Sequence, residues 1–195
     1  MIEKDKEEIL KLVGEARYQH ILRVKDTAID LAKFYKADVE KAEIAGYYHD
    51  CAKSRDLNKL KLLSKEYGLE LTESMKKAPK IIHAFLGALM AEKKYNIRDK
   101  EILDAIRYHT TGRKNMTLLD KIIFISDYIE PGRKFEGIDE VRELAYKDLD
   151  LALYKSLNMT IANLISRDEY VVVDTLEARN YIMETLKWKN SLKPL

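Results

Sequence analysis

Apolar residues recur three or four positions apart along most of this chain, and that spacing decides the fold class. Ile21, Val24, Ala28 and Leu31 mark one such stripe, which falls on a single side of a helix with 3.6 residues per turn. Only 7 Gly and 3 Pro interrupt the pattern in 195 residues. We therefore predict an all-α helical bundle, formed as a single domain over residues 1–195.

Helix ends are indicated by capping residues. Asp38 and Asp99 are typical N-caps, Thr117 with Asp120 resembles a capping box, and Gly68 stands where a helix would stop. Helices are predicted over about 38–52, 57–67, 79 onward, 99–109, 117–130, 139–147, 149–166 and 175–189. The three valines of "RDEYVVVDT" favour an extended segment before Thr175, which we predict to cap the last helix.

Charge and hydropathy exclude several functional classes. The 35 Lys and Arg nearly balance 33 Asp and Glu, and no segment interleaves basic with aromatic residues, so nucleic-acid binding is not expected. No apolar run is long enough for a secretory signal or a membrane span, which favours a cytoplasmic protein. The single cysteine, Cys51, is interpreted as a small core residue, with a soft metal ligand as the alternative.

Every histidine falls on or next to the inner face of a predicted helix, and one belongs to the pair in "GYYHDCAK", residues 46–53. A single inward histidine is usually a hydrogen-bonded core residue. Four of them with two acidic residues favour a divalent transition metal in the bundle core, because imidazole and carboxylate are its usual ligands. The residues concerned are His20, His49, Asp50, His83, His109 and Asp127.

The order of these residues resembles the HD-domain metal-dependent phosphohydrolases. Their pattern of a histidine, a later His-Asp pair and a distal aspartate matches His20, His49, Asp50 and Asp127, which the resemblance implies as metal ligands. The chain also resembles the YqeK family of bacterial HD proteins, through "RYQHILRV" at 17–24, "IIHAFLGA" at 81–88, "YHTTGR" at 108–113, "ISDYIEPGR" at 125–133 and "YVVVDTLEARNY" at 170–181.

This resemblance implies an activity. Members of the family cleave diadenosine tetraphosphate symmetrically to two ADP, so the expected partner is a small dinucleoside polyphosphate, the expected metal is iron, and a homodimer is compatible with the family. Mn, Co, Zn or Mg are alternative ions. Two other functions stay open: another HD nucleotide reaction, on a nucleoside monophosphate, a cyclic nucleotide or guanosine tetraphosphate, and a non-catalytic nucleotide sensor.

A substrate with four phosphates needs cationic partners. The candidates are Arg17, Arg23, Arg133, Lys134 and Arg179, and Arg133 is preferred because "EPGRK" is a glycine-containing loop six residues beyond Asp127. By resemblance, a further set binds or closes over the nucleotide: Thr110, Tyr170, Val171, Val172, Val173, Asp174 and Thr175.

His83 and His109 exceed the four ligands of a mononuclear HD site. We interpret them, with Asp50, as catalytic residues and prefer a role in donating hydrogen bonds to substrate phosphate. The alternative is a second metal that shares Asp50 with the first.

Overall fold

A computed structural model of the protein describes residues 2–191, and within that range it contains helices and no strand. The α-helices are α1 Ile2–Val13, α2 Glu15–Phe34, α3 Val39–Tyr48, α4 Leu57–Tyr67, α5 Glu73–Lys77, α6 Ile82–Lys93, α7 Lys100–Tyr108, α8 Leu118–Ile129, α9 Ile138–Ala145, α10 Leu149–Ser166 and α11 Val173–Ser191. A 3₁₀ turn, Pro79–Ile81, leads into α6. The all-α prediction is confirmed.

The core is built around α8, whose residues Ile122, Ile123 and Ile125 are fully buried. Helices α2, α3, α7 and α10 all pack against it, and α1, α6, α9 and α11 pack on those in turn. Close approach of α2 and α3 depends on Gly46, because a Cβ there would lie 3.0 Å from the Cα of Lys25. The helix that carries the His-Asp pair is thereby held tightly against the helix that carries His20.

The predicted caps form as expected. Asp38 and Asp99 accept hydrogen bonds from backbone N–H groups of the first turns of α3 and α7. Thr117 and Asp120 form a reciprocal capping box at the start of α8, and Gly68 ends α4 in the left-handed conformation. These local signals fix where the functional side chains stand along their helices.

Two predicted boundaries are wrong. The third helix ends at Tyr48 rather than near Ala52, so His49 is its C-cap and Asp50 lies in the following turn. The last helix begins at Val173, so Thr175 lies inside it and does not cap it; the Thr175 side chain is buried instead. Of the three valines only Val171 and Val172 precede the helix, and they join no strand among the described residues.

Helix α1 was not predicted, although it contributes the fully buried Ile9 to the core. It is also attached by polar contacts, since the Tyr48 hydroxyl donates a hydrogen bond to Asp5. None of the helices within residues 2–191 has the length and apolar character needed to cross a membrane.

Candidate metal centre

Ends of several helices meet at one place in the core and bring the predicted residues together. His20 stands in the second turn of α2, His83 is the second residue of α6, and His109 is the C-cap of α7. His49 and Asp50 follow the end of α3, and Asp127 belongs to the last turn of α8. All are buried except Asp127, whose side chain is 19% exposed.

Asp50 is the centre of this cluster. Its Oδ1 lies 3.0 Å from Nε2 of His83 and 3.6 Å from Nε2 of His109. Its Oδ2 lies 3.6 Å from Nε2 of His49 and 3.7 Å from Nε2 of His20. One carboxylate therefore faces the Nε2 atoms of all four histidines.

Asp127 faces the same space from α8. Its Oδ1 lies 3.1 Å from Nε2 of His20. Among the described residues, three sets each offer ligand atoms that all lie within 4.8 Å of one another. These sets are His20, His49 and Asp50; His49, His109 and Asp127; and Asp50, His83 and His109. The sets share His49, His109 and Asp50, so the cluster offers adjoining positions for a cation.

Three of the imidazoles are oriented by the same kind of hydrogen bond. Nδ1 of His49, His83 and His109 lies 2.7 Å from the backbone oxygen three residues earlier, on Gly46, Lys80 and Ile106 respectively. A carbonyl oxygen only accepts, so Nδ1 carries the proton and donates it. For His49 and His109 the acceptor belongs to a helix's last turn, where carbonyls lack helical partners. Each Nε2 lone pair is thus turned toward Asp50.

The donor set fits a divalent metal. Nε2 of His20, Nε2 of His49 and Oδ1 of Asp50 are buried and have no hydrogen-bond partner within residues 2–191, which is costly unless a cation satisfies them. Burial lowers the pKa of His49 to about 3 and that of His83 to about 4, so both are neutral near pH 7. Neutral imidazole is the form that binds a metal.

Both aspartates are ionised in this setting. Burial opposes the charge of Asp50, but on acidification His49 and His83 take up protons first, and their positive charge holds the pKa of Asp50 well below the usual range. Burial likewise opposes ionisation of Asp127, and the contact with His20 and the charge of Arg133 lower its pKa nonetheless. One buried carboxylate and one partly buried carboxylate at the same point require positive charge there.

Cationic side chains reach the cluster from its rim. Arg17 donates to Oδ2 of Asp50 at 3.0 Å, and Arg133 donates to Oδ1 of Asp127 at 2.6 Å. Lys53 lies 3.1 Å from Nε2 of His83 and 4.0 Å from Oδ1 of Asp50. Sequence reasoning missed Lys53, although its position three residues after Asp50 was a usable signal; Lys134, which it named, is exposed.

Sequence reasoning also missed Glu130, which is 2% exposed at the end of α8. Its Oε1 lies 3.1 Å from Nδ1 of His20, and its Oε2 accepts from Nε of Arg23 at 2.5 Å. Burial raises the pKa of Glu130, but the hydrogen bonds from Arg23 and the Gly132 amide lower it by more. The net pKa is below the usual value, so the carboxylate is ionised. The sequence offered one signal for Glu130, which follows Asp127 by three residues at the end of the same helix.

A cavity of about 680 Å³ opens beside His20. Its polar wall is rich in cations: Arg17, Arg23, Lys53, Arg55 and Arg133. It therefore suits an anionic ligand bound next to the cluster.

A second cavity, of about 530 Å³, shares no lining residue with the first and is more apolar. Ile81, Leu164, Tyr170, Val172 and Thr175 contribute to its wall. Thr110 connects it to the cluster, since it lines this cavity and its Oγ1 lies 3.3 Å from Nε2 of His83 and 3.0 Å from Nε2 of His109.

Six residues predicted to bind the substrate line neither cavity: His83 and His109, which belong to the cluster, and Val171, Val173, Asp174 and Arg179. Val173 is 56% exposed at the start of α11. Arg179 is engaged with α10, where it donates to Asn158 at 2.9 Å and to the Tyr154 hydroxyl at 3.1 Å. Asp174 is half-buried, and burial raises its pKa.

Cys51 belongs to the core. It is fully buried, its Sγ lies 3.6 Å from the carbonyl oxygen of Gly87, and burial raises the pKa of its thiol. It is absent from the three sets of ligand atoms found among the described residues.

Comparison with known proteins gives consistent matches. Residues 17–132 match the family model described as HD domain. The chain is 45% identical over 169 residues to a protein of Halalkalibacterium halodurans named "Bis(5'-nucleosyl)-tetraphosphatase, symmetrical", with 87% of this chain and 90% of that protein covered. A Staphylococcus aureus protein of the same name is 42% identical, with 92% and 93% covered.

A solved structure is also similar. The crystal structure of a protein from Clostridium acetobutylicum, described as a predicted HD superfamily hydrolase involved in NAD metabolism, superposes with a TM-score of 0.90. The two sequences are 43% identical, and the match covers 95% of this chain and 98% of the other.

Proposed function

The chain belongs to the HD-domain family, and we propose that it hydrolyses diadenosine tetraphosphate symmetrically, giving two ADP. Relatives named for that activity match about nine tenths of both chain lengths. One observation carries the proposal: the buried His/Asp cluster borders a cationic cavity at His20 and, through Thr110, a more apolar cavity at His83 and His109. That arrangement suits an elongated substrate with a charged middle and an aromatic base at its end.

The first metal ion would be held by His20, His49, Asp50 and Asp127. Support comes from their ionised carboxylates, their inward Nε2 atoms and the buried atoms that lack hydrogen bonds. A divalent ion bound there supplies Lewis acidity, which lowers the pKa of a water ligand and withdraws charge from a phosphoryl oxygen. Iron is our preferred ion, with Mn, Co, Zn and Mg as alternatives.

His83 and His109 would complete a second ion position with Asp50. The sequence favoured hydrogen bonds to phosphate, but Nδ1 of both rings donates to a carbonyl, so Nε2 is left as an acceptor. An acceptor nitrogen cannot form a hydrogen bond with an anionic phosphate oxygen, whereas it can ligate a cation. Lys53 supports this assignment, since its ammonium group only donates and lies 3.1 Å from Nε2 of His83.

The phosphate chain would be bound by Arg17, Lys53 and Arg133. These cations contact the cluster carboxylates or His83, so they lie within reach of a phosphate bound at the same place. Arginine is suited to this because its guanidinium donates to two oxygens at once. Arg23 and Arg55 extend the positive lining outward.

The reaction adds water to one of the two central phosphorus atoms. The bond from that phosphorus to the bridging oxygen breaks, the bridging oxygen leaves as part of one ADP, and the water oxygen is retained in the other. Negative charge develops on the bridging oxygen, and fixed cations at Arg17, Lys53 and Arg133 would stabilise it.

One adenosine would bind in the more apolar cavity. Tyr170, which is 40% exposed on its wall, and Val172 offer surface for a purine, and Thr110 and Thr175 offer hydroxyl groups. Val171, Val173, Asp174 and Arg179 stay predictions from the family resemblance. A homodimer and a cytoplasmic location also stay predictions, which light scattering after size exclusion and cell fractionation would test.

Product analysis tests the proposal. Purified protein loaded with Fe²⁺ or Mn²⁺ is incubated with diadenosine tetraphosphate, with AMP, with a cyclic nucleotide and with guanosine tetraphosphate, and products are separated by ion-exchange chromatography. We expect ADP alone from the dinucleotide and much slower turnover of the rest. AMP together with ATP would contradict symmetrical cleavage, and binding without turnover would favour a sensor.

A further inference from the structure

Glu130 is a buried carboxylate that touches a metal-binding residue without belonging to the ligand sets. We infer that Glu130 is a positioning residue that fixes the ring orientation and tautomer of His20 for the ion. The inference rests on the proposed metal site, and it concerns the affinity of that site rather than the identity of the substrate.

His20 needs a partner that the other three histidines do not. Their Nδ1 atoms donate to backbone carbonyls at a helix end or in the 3₁₀ turn. His20 lies inside α2, where backbone carbonyls are taken up by the helical hydrogen bonds. Oε1 of Glu130, 3.1 Å from Nδ1 of His20, supplies the missing acceptor from α8, 110 residues away in sequence.

The result is a defined direction for the metal-binding atom. With the proton held on Nδ1, Nε2 of His20 is unprotonated, and it lies 3.1 Å from Oδ1 of Asp127 and 3.7 Å from Oδ2 of Asp50. That Nε2 is buried and makes no hydrogen bond to any residue that the structure describes. A carboxylate behind a ligating imidazole also raises the basicity of the ring, which strengthens its bond to the ion.

Glu130 is itself held rigidly. Its Oε2 accepts from Nε of Arg23 at 2.5 Å and from the backbone N–H of Gly132 at 2.6 Å. Arg23 lies directly over Gly132, since a Cβ there would be 2.6 Å from Nη2 of Arg23. One carboxylate oxygen of Glu130 therefore accepts from His20, and the other accepts from Arg23 and from the loop at Gly132.

Glu130 could instead serve only to tie the loop after α8 to α2. Arg142 provides the matched control, because it holds the backbone of the same loop without touching the carboxylate. Its guanidinium donates to the carbonyl oxygens of Ile129 at 3.1 Å, Glu130 at 3.2 Å and Arg133 at 2.9 Å. Replacement of Arg142 should loosen the loop without removing the contacts of the Glu130 carboxylate with His20, Arg23 and the Gly132 amide.

The experiment measures metal affinity directly. Chelator-treated parent, Glu130→Gln, Glu130→Ala and Arg142→Ala proteins are titrated with Co²⁺, and binding is followed by visible absorption. We expect both Glu130 variants to bind Co²⁺ about 10-fold to 100-fold more weakly, and Arg142→Ala to stay within about 3-fold of the parent. Long-range ¹H–¹⁵N spectra of the metal-free proteins should show the Nδ1–H form of His20 in the parent and a tautomer mixture in Glu130→Ala.

The outcomes separate the hypotheses. A folded Glu130 variant that binds Co²⁺ within about 3-fold of the parent overturns the inference, as does an equal loss in Arg142→Ala. If Glu130→Ala does not fold, the isosteric Glu130→Gln protein decides. A parent protein that binds no Co²⁺ contradicts the proposed metal site instead, so the two failures are distinct.

Discussion

His83 and His109 face each other through their Nε2 atoms, which lie 3.2 Å apart. Each ring donates its Nδ1 proton to a backbone carbonyl, so two lone pairs oppose one another beside Oδ1 of Asp50. Such an arrangement is unfavourable in itself and becomes favourable when a cation lies between the acceptors.

The first prediction is that the parent protein binds two metal equivalents and that His83→Ala and His109→Ala each lose one. Elemental analysis of protein loaded in excess metal and desalted gives the count. Thr110→Val is the control, because it removes a hydroxyl beside both Nε2 atoms and no ligand. Full metal content with lost turnover in the histidine variants would restore the hypothesis of hydrogen bonds to phosphate.

Metal removal should abolish activity and destabilise the fold. The ion binds the native protein and neutralises carboxylates that are costly to bury, so a melting temperature measured in excess metal should exceed that in chelator. His49→Ala should lose most of this difference, since His49 belongs to two of the ligand sets. Full turnover by protein shown by analysis to be metal-free would refute the metal-hydrolase mechanism.

Arg133→Ala should lower kcat by about 100-fold while the metal content stays at the parent level. The reason is that Arg133 donates to Asp127 at the rim of the cluster and would stabilise phosphoryl charge without ligating the ion. Steady-state kinetics with metal analysis checks this. Arg98→Ala, a change at an exposed arginine that donates to Asn96 in its own loop, should leave kcat unchanged. Parent-like kinetics in Arg133→Ala would place Arg133 outside the reaction.

The metal-free protein should lose stability as the pH falls below about 6.5. Folding lowers the pKa of His49 to about 3 and that of His83 to about 4, from an ordinary value of 6.5. Between these limits the unfolded chain binds more protons than the folded one, so protonation favours unfolding. Thermal melts in chelator at pH 7.5, 6 and 5 should show a fall of about 5 °C or more. A His83→Asn protein should fall less, and a flat parent profile would contradict the assignment of buried neutral rings.

Local signals in the sequence predicted much of the fold. Capping by Asp38, Asp99 and Thr117 depends on side chains two or three residues from their targets, so it is readable from short segments. The start of the last helix was missed because Thr175 has cap chemistry but is buried, at the wall of a cavity that forms only in the folded chain.

The candidate site, like the fold, was predicted only in part from the sequence. Inward positions of the four histidines followed from helical spacing, and the family pattern supplied Asp50 and Asp127. Glu130 and Lys53 were not found, because their roles depend on where α2 and α6 lie relative to them. The contact of Glu130 with His20 spans 110 positions, and that of Lys53 with His83 spans 30. Short spacing could place Glu130 and Lys53 near the site, but it could not identify His20 and His83 as their partners.

The bonds from His49 to Gly46 and from His109 to Ile106 have a consequence for local opening. Each ring is tied to the final turn of its own helix, which is ordinarily the part that frays first. A bound ion that ligates both rings would then join the ends of α3 and α7, more than 50 residues apart in sequence, into one cooperative unit. Amide hydrogen exchange in those two turns should slow together when the ion binds, while exchange at the exposed Asp139 and Glu140 of α9 should not change.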